Sequence, residues 1–73
     1  MTAPVLESPT QLTERQAHIL QLVADGDTHD EIADALFMTP TAVGSTLWYV
    51  RKKLRATSTP NAVAIAYRKR IIT

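Results

Sequence analysis

A chain of 73 residues suffices for one domain, and an apolar content of 45% places it among globular rather than disordered sequences. The absence of cysteine excludes disulfides and thiolate metal sites, so a core this small can gain extra burial only by self-association. The formal net charge of +1 conceals an asymmetry. Residues 1–37 hold all seven acids and one base, net −6, and residues 38–73 hold seven bases and no acid, net +7, which suggests a polyanionic partner for one face.

Residues 1–11, with Pro4 and Pro9, read as a flexible arm. The start lacks the basic and apolar regions of a signal peptide. Thr13-Glu14-Arg15-Gln16 is a capping box, in which the Thr hydroxyl takes an orphan backbone N–H and Gln16 reaches back. Ile19, Leu20 and Val23 follow at helical spacing, and Gly26 suits a helix end because it tolerates positive φ. The first helix is predicted over about residues 14–25. Thr28-His29-Asp30-Glu31 is a second capping box, with Ile32, Ala33 and Leu36 as the apolar stripe of a short helix over about residues 29–36.

Thr39-Pro40 opens the third helix, since proline suits a first-turn position whose N–H has no partner. Val43, Leu47, Val50 and Leu54 fall at i, i+4, i+7 and i+11, one face of a helix running to about Arg55. Thr59-Pro60 repeats the start signal for a fourth helix to about Arg70, with Ala62, Val63, Ala66 and Tyr67 as its stripe. No stretch alternates like a strand. The longest apolar run, Ala62 to Tyr67, is far short of the roughly 20 residues a bilayer requires, so a cytoplasmic protein is expected. The reading is an all-α, four-helix domain over residues 12–73.

A short helix followed closely by one about twice as long is the helix-turn-helix pattern, whose second helix enters the major groove. Projected at about 100° per residue, helix 3 sets Thr41, Ser45, Trp48, Tyr49 and Lys52 opposite its core face, with Arg51, Lys53 and Arg55 on the flanks. Hydroxyls and an aromatic can meet base edges and thymine methyls, and the bases further along can hold phosphates. The plain alternative is that these cations only complement the helix dipole.

Leu12-Thr13-Glu14-Arg15, Ile19-Leu20 and Leu22 to Gly26 resemble the opening of a LuxR/FixJ/GerE-type domain. Glu31-Ile32-Ala33 with Leu36, Thr39 through Val43, Leu47, Val50, Lys53-Leu54, Ser58 and Asn61-Ala62-Val63 continue that resemblance over about residues 12–70. It implies a four-helix DNA-binding fold that pairs through helix 4, and a small stand-alone transcriptional regulator. The expected DNA contacts are Thr39, Thr41, Gly44, Ser45, Trp48, Tyr49, Arg51, Lys52 and Lys53. The expected dimer contacts are Ala62, Val63, Ile65 and Ala66. The expected partners are double-stranded DNA and a second copy of the chain, with a transcription-machinery protein as a further candidate. The chain departs from the family's common residues at Ala42, Gly44, Thr46 and Thr59, and Gly44 has no side chain with which to touch a base.

Two other readings compete. A protein-binding adaptor could keep the fold and use Trp48 and Tyr49 as anchors, because aromatics are favoured at protein interfaces. Region 4 of sigma factors shares the Glu-Ile-Ala and basic helix-end features, but Ala62-Val63-Ala64-Ile65-Ala66 fits the LuxR type better. His18 and His29 stand alone without a second ligand at metal spacing, and Ser8, Ser45 and Ser58 have no base beside them in sequence, so neither a metal, a cofactor nor an enzyme is expected.

Overall fold

The computed structural model describes residues 11–73; the expected arm lies, but for Gln11, outside them. Four helices follow in order: α1 (Glu14–Ala24), α2 (His29–Leu36), α3 (Pro40–Leu54) and α4 (Thr59–Arg68), with no strand among the described residues. Both predicted capping boxes are formed. Thr13 Oγ1 accepts from the Gln16 N–H at 3.1 Å while Gln16 Oε1 accepts from the Thr13 N–H at 3.0 Å. Thr28 and Glu31 do the same at 3.1 and 2.7 Å. Thr39 caps α3 by accepting from the Ala42 N–H. The fourth start differs from expectation. Ser58, not Thr59, is the cap, because its hydroxyl reaches the Asn61 N–H, so α4 begins one residue earlier and Pro60 sits inside its first turn.

All four helices end in the same way. The residue after the last turn is left-handed, and the next N–H bonds to the carbonyl five residues back: Asp27 to Leu22 O, Met38 to Ala33 O, Ala56 to Arg51 O and Ile71 to Ala66 O. This closes orphan carbonyls of the last turn. The left-handed residue is glycine only once, at Gly26 (φ 101°); elsewhere it is Phe37, Arg55 and Arg70.

α3 is the central helix and packs against each of the other three. Its face of Val43, Leu47, Val50 and Leu54 is buried as its periodicity requires, against Ile19 and Leu20 of α1, Ile32 and Ala33 of α2, and Ala62 and Ala66 of α4. Each of these Val, Leu and Ile side chains taken from water contributes about 1.5–3 kcal/mol. Two residues outside the helices complete the core, Leu12 before α1 and Ile72 after α4. The chain beyond α4 is held on α1: the Thr73 N–H donates to Gln21 Oε1 (2.9 Å) and Gln21 Nε2 donates to Thr73 O (2.8 Å).

Candidate nucleic-acid interface

With one face of α3 fixed in the core, the opposite face must meet solvent. Thr41, Ser45, Trp48, Tyr49 and Lys52 are all exposed along it. The two aromatic rings meet edge to face, 5.0 Å apart at 87°, and Lys52 Nζ lies 4.9 Å from the Trp48 ring centre. That pairing sets a cation beside the indole at modest cost, since such contacts contribute about 0.5–1 kcal/mol on a surface.

The remaining α3 residues divide by what they touch. Thr39 is exposed, but its hydroxyl is engaged as the helix cap. Thr46 turns inward, and its hydroxyl donates to Ala42 O of its own helix at 3.0 Å. Gly44 faces α2, where an added Cβ would come no nearer than 4.0 Å to His29 Nδ1. Packing therefore does not require a glycine at this position.

The cations at the end of α3 have unlike roles. Arg51 is half-buried, and its Nε is enclosed without a hydrogen-bond partner. It shares a niche of about 120 Å³ with Trp48, Lys52 and Ala56. A buried N–H without an acceptor costs roughly 1–3 kcal/mol. Lys53 points the other way. Its Nζ donates to Gln11 O at 3.0 Å and to Gln16 Oε1 at 2.9 Å, so it ties α3 to the capping box of α1.

The sequence grouped Arg51, Lys52 and Lys53 together; the structure separates Lys53 from the other two. The sequence alone held no sign of the enclosed Arg51 Nε, nor of Ala56 beside it, because both depend on the left-handed turn at Arg55.

Helix 4 requires a correction. Ala62 and Ala66, expected at a dimer contact, are fully enclosed in the chain's own core and cannot also line an interface. Val63 and Ile65 remain partly accessible, and Tyr67, expected on the apolar stripe, is exposed. The small residues serve close approach of α4 to α3 within the chain.

Residues 10–66 match the family described as bacterial regulatory proteins, luxR family. The chain belongs to the LuxR family. That is a family of DNA-binding transcription regulators rather than of enzymes. The chain is also 38% identical over 66 residues to the uncharacterized response regulatory protein YgeK of Escherichia coli (strain K12). That match takes in 90% of this chain and 45% of YgeK, so the chain spans about half the length of this curated relative. For this LuxR-family chain, no helix among the described residues is long and apolar enough to cross a membrane.

Proposed function

We propose that residues 12–73 form a sequence-specific DNA-binding unit of a cytoplasmic transcriptional regulator, with α3 in the major groove. The observation that carries this reading is the graded outer face of α3. Exposed hydroxyls come first, then two aromatics, then a cationic niche holding an enclosed, unpaired Arg51 Nε. Thr41, Ser45, Trp48 and Tyr49 read base edges and thymine methyls. Gly44 lets the backbone come close. Arg51 and Lys52 hold phosphates, Thr39 fixes the start of α3, and Lys53 holds its far end against α1. The regulator has no catalytic role and pairs through the accessible side of α4, around Val63 and Ile65.

A salt titration of binding to random duplex DNA tests the proposal. Log K should fall linearly with log salt, by about 0.9 per phosphate neutralised, and Lys52→Ala should make that slope shallower by about one for each protomer bound. No binding at about 50 mM salt, with the fold intact, overturns it. The exposed Trp48 (49%) and Tyr49 (57%) then favour a protein-binding adaptor, for which Trp48→Ala should abolish partner capture while Lys52→Ala matters little. For the pairing, Val63→Glu should weaken self-association in sedimentation and leave the circular dichroism of the chain unchanged; an unaltered sedimentation profile would count against α4.

A further inference from the structure

Phe37 is out of place as a surface residue. It closes α2 at φ 56° and ψ 46° and is 98% exposed. A bulky side chain in this backbone region is strained, and glycine or asparagine would relieve it. Exposing a phenyl ring also forgoes the burial an aromatic normally gains. Asp30 and Asp34 are exposed on α2 one turn apart, and the chain has no Lys or Arg between Arg15 and Arg51. The end of α2 is therefore an apolar tip with an acidic flank. DNA is a poor occupant for it, because the flank would repel phosphates.

A complementary surface exists elsewhere on the same chain. The start of α1, the end of α3 and the residues after α4 enclose a cleft of about 650 Å³. Its apolar lining is Leu12, Leu54 and Ile71, and its cations are Lys53, Arg55 and Lys69. Lys53 is engaged with Gln11 and Gln16, which leaves exposed Arg55 and Lys69 to meet an anionic flank. Neither belongs to the set assigned above to DNA.

We propose that this cleft receives Phe37 from a second copy of the chain, with Asp30 and Asp34 of that copy set against Arg55 and Lys69. The ring packs on the apolar floor that Leu12, Leu54 and Ile71 give a cleft otherwise lined by Gln11 and cations, and the acids meet bases of opposite sign. Because tip and cleft are different surfaces, the contact is heterologous, and each copy offers one of each. It leaves the outer faces of α3 and α4 uncovered, so it neither needs DNA nor replaces pairing through Val63.

Sedimentation equilibrium of the full chain without DNA tests the contact. Phe37→Asn suits the left-handed backbone, so thermal melts should show it folded and at least as stable. It should weaken self-association at least about tenfold, the effect of losing an interface anchor. Asp34→Lys and Lys69→Glu should each weaken it, and both changes in one chain should restore it, since every contact then regains a pair of opposite sign. Raising salt from about 50 to about 500 mM should weaken the wild type, as screening of exposed charges demands. Self-association indifferent to Phe37→Asn, a double variant as weak as the single ones, or a wild type that stays monomeric would each overturn the proposal. Neither Phe37 nor Asp34 lies on α3 or α4, so failure here is distinguishable from failure of the DNA or α4 readings.

Discussion

α2 and α3 are adjacent helices built by the same local rules. Each starts on a threonine that caps the backbone, buries one apolar stripe and ends on a left-handed residue that is not glycine. Their outer faces nevertheless carry opposite charge: Asp30, Glu31 and Asp34 on α2, and Lys52 with the aromatics on α3, beside half-buried Arg51. Local rules thus account for helix and core, whereas the side chains left outside decide what can approach. A polyanion is repelled by one helix and drawn to its neighbour, so the helix-turn-helix is electrically polarised across its own turn.

The largest effects should come from the inner faces, where the two helices are alike. Ile32→Ala and Leu47→Ala should each cost about 2–5 kcal/mol. Domains of this kind hold only about 0.05–0.15 kcal/mol per residue in total, so either variant should lose its cooperative thermal transition or melt far lower. If one of them melted like the wild type, the two stripes would not be equivalent parts of one core.

Reversing charge on the outer faces should separate the helices. Lys52→Glu should weaken binding to any duplex at least about tenfold at about 100 mM salt. Asp34→Lys should alter it less and in the opposite sense, because Asp34 lies on α2, outside the α3 face proposed to meet DNA, where salt screens its repulsion. Equal and opposite effects in a fluorescence anisotropy titration would mean that α2 also lies against DNA, and the comparison would need redrawing.

The smallest effects concern two misplaced glycine choices. Gly44 occupies a helix interior where nothing prevents a Cβ, and Phe37 occupies a position that glycine suits better. Gly44→Ala should stabilise the fold by about 1 kcal/mol. Phe37→Gly should stabilise it by about 0.5–1 kcal/mol, the strain relieved less the extra entropy of an unfolded glycine. For a domain of this size such gains raise Tm by about 4–8 °C per kcal/mol, which calorimetry resolves. A lower Tm for Phe37→Gly would mean that the ring contributes to the fold despite its exposure.

The sequence by itself determined what is local. Hydroxyls at Thr13, Thr28 and Thr39 sit three residues before the N–H they cap, so three helix starts are legible from spacing alone. The stripe of Val43, Leu47, Val50 and Leu54 is equally legible, because a helix surrounded on one side by the chain must repeat at 3.6 residues. The ends of α2 and α3 fall where the sequence put them, near residues 36 and 55, but the left-handed turns at Phe37, Arg55 and Arg70 were not legible, since no preference of those residues signals that conformation. Nor could spacing say which side of α4 faces inward. Its alanines suit close approach to any helix, and only the position of α3 spends Ala62 and Ala66 on the chain's own core. The three cations in a row at Arg51, Lys52 and Lys53 look alike in sequence. Successive helical residues lie about 100° apart, and what lies in each direction differs: the inner side of the niche beside Ala56, the exposed Trp48 ring, or the capping box of α1. Tertiary structure decided their roles because a side chain's chemistry is set by its nearest groups, and those come from distant parts of the chain.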